Sequence, residues 1–266
     1  GVFGSGTTED FTDDALAAVA FAKTRSELDP KHLGIVGHSE GGLIAPMAAA
    51  RTEDVSFIVL LAGPGMPSVE LLALQGRLIS EAMGTSKDLA QQNAKVSLEI
   101  LGMVRDKKPM DQIRARLTVL AGELLKITPE TKDLSAEESE KKLKETVDQQ
   151  MAGLATPWLQ SFLRIDPAIA LAKVKVPILA LNGEKDLQVP PKENLAGITA
   201  TTRKAGNRHV TTRELPGLNH LFQTCKTGAP SEYAEIEETF SPAALEILTQ
   251  WIRETTGLEK PKAPKK

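Results

Sequence analysis

The stretch "GIVGHSEGGLIAPMAAA", residues 34–50, places Ser39 between glycines at the point where a predicted strand turns into a predicted helix. The short apolar run up to Gly37 is typical of a buried strand, and the alanine-rich run after Gly42 favours a helix. Pro46 inside that helix predicts a kink or a loose first turn. The pattern Gly-x-Ser-x-Gly between a strand and a helix is the signature of a nucleophile elbow.

Ser39 is therefore the candidate catalytic nucleophile. In such an elbow the serine is held in a strained turn, and the flanking residues are small because the strand and the helix nearly collide there. Gly37 and Gly41 are expected to meet that need. The following helix directs its first backbone N–H groups at the site, so the N–H of Glu40 is expected to be one oxyanion donor.

A serine hydroxyl needs a base, and the base needs an acid that orients it. After an elbow of this kind, the acid and then the histidine are expected in loops that follow later strands. Asp186 in "LNGEKDLQVP" and His220 in "LPGLNHLF" occupy these two positions. Glu184 is the rival acid, and the alternative role for it is to cap a turn.

The other histidines fit this chemistry less well. His38 is expected to point to the opposite side of the elbow and to be structural. His32 precedes its strand, and His209 lies in a basic loop before another strand. No two or three of the histidines stand at a metal-ligand spacing with carboxylates, so we predict no metal site.

Working outward, apolar runs predict four strands near residues 33–37, 55–62, 176–182 and 211–215. Helical patterns lie between them, and strands that alternate with helices predict an α/β fold with a parallel sheet. Thr12 or Asp13 is expected to cap the first helix, which ends before Asp29-Pro30. A final amphipathic helix is expected from about Pro242 to Thr255.

Residues 67–167 have no strand-like run and many helix-forming residues. We interpret them as a helical insertion, a lid over the sheet, that divides the core into residues 1–66 and 168–257; a bundle packed elsewhere for stability is the alternative. Residues 258–266 read as a disordered tail. Trp158 and Phe162, at the end of the insertion, are candidates for an apolar wall of a substrate pocket, and core packing is the alternative.

Composition excludes several classes of function. The chain has 266 residues and a formal net charge of −3, with no basic stripe that would attract nucleic acid. No apolar run reaches the roughly 18 residues that span a membrane. Cys225 is the only cysteine, so neither an intrachain disulfide nor a four-cysteine metal site can form. The cellular compartment stays open.

Several stretches together resemble the α/β-hydrolase superfamily, and within it bacterial esterase-like serine hydrolases of the dienelactone hydrolase and serine-peptidase-like branches. They are "GHSEGGLIAPMAAA" (37–50), "VLLAGPG" (59–65), "LNGEKDLQVPPKENL" (181–195), "LPGLNHLFQ" (215–223) and "EYAEIEETFSP" (232–242). The resemblance implies the carboxyl-terminal half of an α/β-hydrolase sheet. It also implies that Ser39 is the nucleophile, Asp186 the acid, His220 the base and Glu40 an oxyanion donor, with no cofactor.

The resemblance further implies four strands and a second oxyanion donor ahead of "TTEDFTDDALAAVAF", and the sequence contains neither. The strand "LGIVG" is therefore expected to be an open edge that a missing amino-terminal segment or a second chain covers. We expect the 266-residue chain alone to be poorly soluble and weakly active.

Three functions follow from these patterns. The first is cleavage of a small carboxylic ester through an acyl-enzyme. The second is cleavage of short peptides, for which the insertion offers no distinctive cluster that would bind a charged terminus. The third is a binding module without catalysis, which would have no physical need for a serine, an aspartate and a histidine at all three expected positions.

Overall fold

The computed structural model describes residues 5–258. This part of the chain divides into two compact units. The sheet unit comprises Thr12–Gly65 and the residues from Pro167 onward, and the helical unit comprises Met66–Asp166 together with residues up to Phe11. Residues 5–11, which the sequence assigned to the first core part, thus group with the helical unit.

The sheet unit contains four parallel strands in the order in which they occur along the chain, and this confirms the predicted α/β fold. They are β1 (Gly34–His38), β2 (Phe57–Leu61), β3 (Ile178–Gly183) and β4 (Val210–Leu215). Because all four run in the same direction, their carboxyl ends lie at one edge of the sheet. Within the described residues, β1 pairs only with β2, so β1 is an edge strand.

Side chains of β2 and β3 alternate between two apolar cores, as the two-residue period of a strand requires. Val59 and Leu181 belong to the cluster that also contains Trp251 of the last helix, whereas Ile58 and Ile178 belong to the cluster on the other face. Every residue of β2 and β3 is buried, which explains why their sequences are continuous apolar runs.

Helices of the sheet unit cover both faces of the sheet. They are α2 (Gly41–Ala49), α8 (Pro167–Leu171), α9 (Pro191–Lys204) and α10 (Pro242–Thr255), together with most of α1 (Thr8–Lys23). Helix α2 continues through Pro46, and α10 has the predicted bounds.

The predicted cap of α1 is wrong. The helix begins at Thr8, and Thr7 caps it: Asp10 donates its N–H to Thr7 Oγ1, and Thr7 donates its N–H to Asp10 Oδ2. This reciprocal pair is a capping box, whose signature is a hydroxyl residue followed three positions later by an acid or amide. The sequence "TTED" (7–10) carried that signal, starting five residues before Thr12.

The helical unit contains helices and no strand among residues 66–166. Its helices are α3 (Ser68–Ala82), α4 (Lys87–Arg105), α5 (Met110–Leu125), α6 (Ala136–Leu154) and α7 (Pro157–Phe162). They share a core of their own, in which Ile113, Leu117 and Leu163 are almost fully buried. Of the helices between residues 5 and 258, none has the length and apolar character required to cross a bilayer.

Candidate active site

The turn between β1 and α2 holds Ser39 in a strained conformation. Its φ is 55°, in the left-handed region that residues with a side chain rarely adopt. Two hydrogen bonds fix the turn: Ser39 donates its N–H to the Leu61 carbonyl at 2.9 Å, and Gly42 donates its N–H to the Ser39 carbonyl at 2.8 Å. Such strain is typical of a nucleophile elbow, because the sharp turn lifts the hydroxyl away from the backbone.

Gly37 and Gly42 let backbone segments approach closely at this turn, whereas the sequence predicted that role for Gly37 and Gly41. A Cβ at Gly37 would lie 1.9 Å from the Gly41 carbonyl oxygen, so Gly37 is required as expected. A Cβ at Gly41 would meet nothing within 4 Å, whereas a Cβ at Gly42 would lie 2.4 Å from the Gly63 Cα. The small residue that lets α2 pack against the segment after β2 is therefore Gly42.

Asp186 lies in the loop that follows β3 and is 2% exposed. Its Oδ1 accepts the backbone N–H groups of Gln188 at 2.9 Å and Val189 at 2.8 Å. A carboxylate at a turn commonly accepts backbone N–H groups a few residues further on, which fixes its orientation. Both oxygens also lie within hydrogen-bond distance of His220.

His220 lies in the loop that follows β4 and is 3% exposed. Its Nδ1 is 2.9 Å from Oδ2 and 3.1 Å from Oδ1 of Asp186. An ionised carboxylate only accepts hydrogen bonds, so Nδ1 carries the proton in this pair. The neutral imidazole then keeps its lone pair on Nε2, which is the nitrogen a general base uses.

The loop around His220 has its own polar support, which the sequence analysis missed. Asn219 is fully buried; its Oδ1 accepts the N–H groups of Leu221 and Gln223, and its Nδ2 donates to the Gln223 side chain at 2.9 Å. Phe222 has a φ of 61° and stacks on Phe240 with ring centroids 5.1 Å apart. An asparagine directly before a candidate histidine was the signal, because asparagine readily bonds its own backbone in turns.

The structure brings Asp186 and His220 into direct contact, and Ser39 follows a strand of the same parallel sheet. Within the described residues no hydrogen bond joins Ser39 Oγ to the His220 ring, so of the three candidate catalytic residues only Asp186 and His220 are hydrogen-bonded to each other. Glu184, the rival acid, accepts the Gly217 N–H at 2.8 Å and so supports the turn that precedes the histidine.

His38 differs from the expectation that it points away from the site. Its Nε2 is 2.8 Å from the His220 carbonyl oxygen, and the two rings are 4.7 Å apart at an interplanar angle of 47°. The loop after β4 thus contacts the end of β1, and a contact between residues 182 positions apart is not visible in a linear sequence. His32 instead pairs with Asp29 outside the site.

Trp158 and Phe162 lie on α7 in the helical unit. Their rings stack with centroids 5.1 Å apart, Phe162 is 5% exposed and Trp158 is half-buried. Between residues 5 and 258, no group of three or more His, Cys, Asp or Glu side chains is placed to hold a metal ion.

Solved structures of hydrolases are distantly similar to this chain. The acylaminoacyl peptidase of Pyrococcus horikoshii is 12% identical over 96% of this chain and 29% of its own, with a TM-score of 0.47. An esterase of Pyrococcus furiosus is 12% identical over 93% of this chain and 63% of its own, at a TM-score of 0.47. The monoacylglycerol lipase of Paleococcus ferrophilus is 14% identical over 94% of this chain and 77% of its own, at a TM-score of 0.46.

No curated protein sequence is similar enough to the chain to count as a match. A family model does match it: residues 4–224 fit the model described as serine aminopeptidase, S33. The matched range contains the elbow at Ser39, the Asp186 loop and the His220 loop. Because the match covers most of the chain, this protein belongs to the S33 serine aminopeptidase family of α/β hydrolases.

Proposed function

We propose that this α/β hydrolase cleaves carboxylic esters through an acyl-enzyme intermediate. Ser39 is the nucleophile, His220 the general base and acid, and Asp186 the residue that orients the imidazole. The N–H of Glu40, at the start of α2, is one oxyanion donor. The observation that carries the proposal is the buried hydrogen bond between Asp186 and His220, formed in the same unit as the strained Ser39.

The first half-reaction follows from these groups. The Ser39 oxygen bonds to the acyl carbon while its proton passes to Nε2 of His220, and the carbonyl π electrons move onto the oxygen as an oxyanion. The positive end of the α2 dipole and the Glu40 N–H stabilise that charge. When the oxyanion collapses, the ester C–O bond breaks, and His220 returns the proton to the departing alcohol.

The second half-reaction uses the same residues in reverse. Water attacks the acyl carbon and gives a proton to His220 Nε2. When the bond between the acyl carbon and Ser39 then breaks, His220 returns this proton to the Ser39 oxygen. Throughout both steps Asp186 stays ionised and holds Nδ1 protonated, because its three N–H donors require an acceptor. The products are a carboxylic acid, an alcohol and the free enzyme.

A second candidate is peptide hydrolysis, which the description of the matched family favours. The same three residues would act on an amide, with the amine as the leaving group. An aminopeptidase also needs a partner for the positive amino terminus of its substrate. A panel of p-nitrophenyl esters against aminoacyl anilides separates the two candidates by their kcat/KM values.

A fluorophosphonate probe tests the shared mechanism. The wild-type chain is expected to become labelled at Ser39, and Ser39→Ala is expected to abolish labelling. Ser56→Ala is the matched control, because Ser56 lies in the sheet unit and its hydroxyl donates to the Leu33 carbonyl outside the site. A folded wild-type chain that resists the probe would instead favour a binding module without catalysis.

We also propose that the helical unit selects the acyl group. Trp158 is the residue through which we expect this selection. Phe162 is almost fully buried, which favours a packing role inside the helical unit for that ring.

A further inference from the structure

His38, the residue directly before the candidate nucleophile, contacts the loop that carries the candidate base. The contact joins residues 182 positions apart in the chain, through Nε2 of His38 and the carbonyl oxygen of His220 at 2.8 Å. The centroids of the two rings lie 4.7 Å apart, and the Phe222 ring centroid lies 6.3 Å from that of His38 at an interplanar angle of 67°. None of these contacts is needed for the proton transfers assigned to Ser39, Asp186 and His220.

The direction of this hydrogen bond fixes the state of His38. A carbonyl oxygen only accepts, so Nε2 of His38 must carry a proton. His38 keeps an exposed side, and the partial burial of its ring lowers its pKa below the ordinary value. The neighbouring His220 lowers this pKa further, whereas the bond to the His220 carbonyl and the Asp186 charge oppose the shift. At neutral pH the ring is therefore the neutral tautomer with its proton on Nε2.

The bond acts on the backbone of His220 rather than on its ring. The Asp186 carboxylate holds Nδ1, and the His38 donor holds the carbonyl of the same residue. With one partner on the side chain and one on the main chain, His220 loses freedom both to rotate and to shift with its loop. Since His38 ends β1 and Ser39 directly follows it, the donor ties the base to the strand that leads into the nucleophile turn.

We propose that His38 is a positioning residue: its Nε2–H donates to the His220 carbonyl and its ring packs against the His220 ring, which holds the base in register with Ser39. This role rests on the proposed function of Ser39, Asp186 and His220. It predicts an effect on turnover more than on substrate binding, because the group contacts the base and not the substrate. A misplaced base of this kind slows the chemical step.

Three variants of one residue separate the hydrogen bond from the packing. His38→Ala removes both, His38→Phe keeps a ring without a donor, and His38→Gln keeps an N–H donor without the ring. We expect His38→Ala and His38→Phe to lower kcat about tenfold, as loss of one hydrogen bond of about 1.4 kcal/mol would, with KM within about twofold. His38→Gln is expected to recover most of the loss.

His32→Ala is the matched control. His32 lies in the same unit, precedes the same strand and pairs with Asp29 away from the site, so its removal is expected to leave kcat unchanged. Equal kcat values for wild type, His38→Ala and His38→Phe would overturn the proposal. Recovery by His38→Phe but not by His38→Gln would overturn the donor role, because packing alone would then account for the effect.

Nuclear magnetic resonance distinguishes a failure of this inference from a failure of the proposed function. Ring ¹⁵N shifts at pH 7 are expected to show the Nε2-protonated tautomer of His38. The ¹³C shift of the His220 carbonyl is expected to move in His38→Phe and to stay nearer its wild-type value in His38→Gln. These measurements need no substrate, so they test the hydrogen bond between His38 and the His220 carbonyl even if the fluorophosphonate probe does not label Ser39. An Nδ1-protonated His38 would overturn it.

Discussion

Asp186 and His220 form a buried hydrogen-bonded pair, with His220 Nδ1 2.9 Å from one carboxylate oxygen and 3.1 Å from the other. Asp186→Asn keeps the shape but offers an amide N–H to Nδ1, which favours the wrong tautomer. We expect kcat to fall about 10⁴-fold with little change in KM. Steady-state kinetics on the best ester of the panel measures both constants.

Glu184→Gln is the matched control for that variant. Glu184 is the other carboxylate of the loop, and it accepts the Gly217 N–H. Glutamine keeps an oxygen acceptor for this bond, so turnover is expected to stay close to that of wild type. A larger loss in Glu184→Gln than in Asp186→Asn would make Glu184 the acid.

Alanine substitutions at Gly42 and Gly41 provide a matched comparison of how an added Cβ changes the free energy of unfolding. A Cβ at position 42 would approach the Gly63 Cα to 2.4 Å, and backbone cannot rotate away as a side chain can. We expect Gly42→Ala to lower the free energy of unfolding by about 1–3 kcal/mol. Gly41→Ala enters open space at the start of α2 and is expected to be neutral or stabilising by up to about 1 kcal/mol. Urea unfolding of both variants checks this order, and the reverse order would contradict it.

His38 is expected to make stability depend on pH. Its folded pKa is lowered, chiefly by partial burial of the ring, whereas in the unfolded chain the pKa is about 6.5. Below about pH 6.5 the unfolded chain therefore binds the extra proton first, and the free energy of unfolding falls as the pH falls toward the folded pKa. His38→Phe is expected to flatten this part of the profile. The measurement is the urea midpoint at several pH values, and an unchanged slope in His38→Phe would contradict the expectation.

The edge of β1 is expected to promote association between copies of this chain. Val36, on that strand, is 48% exposed, and within the described residues only β2 pairs with β1. A lysine on an edge strand opposes pairing with another strand. Val36→Lys is therefore expected to lower the concentration-dependent mass seen by light scattering. Leu245→Lys, which removes a similarly exposed apolar residue from α10, should leave association unchanged; an equal effect would indicate general hydrophobic contact.

Trp158→Ala is expected to change the preference between short and long acyl chains, because Trp158 is half-buried while its stacking partner Phe162 is buried. The ratio of kcat/KM for a short and a long p-nitrophenyl ester is the measurement. The control is Phe162→Leu, which is expected to lower stability more than it alters the ratio. A uniform loss of stability in Trp158→Ala with an unchanged ratio would favour packing alone.

Local patterns determined most of the architecture of this protein. The continuous apolar runs of β2 and β3 predict strands buried on both faces, and the spacing of apolar residues predicts α10 to its end residues. The elbow was also predictable, since Gly37, Ser39 and the following helix are adjacent in sequence. The loops that carry Asp186 and His220 could be chosen because each follows a strand of a parallel sheet.

Tertiary structure decided what depends on contacts between distant residues. The requirement for Gly42 arises from Gly63, twenty-one positions later, so spacing around the serine assigned it wrongly to Gly41. The contact of His38 with the His220 carbonyl joins the end of β1 to the loop after β4, and no local pattern encodes a contact between residues 182 positions apart. The physical reason is that a sequence specifies backbone preferences residue by residue, whereas close approach is set only when the strands pair and the helices pack upon them.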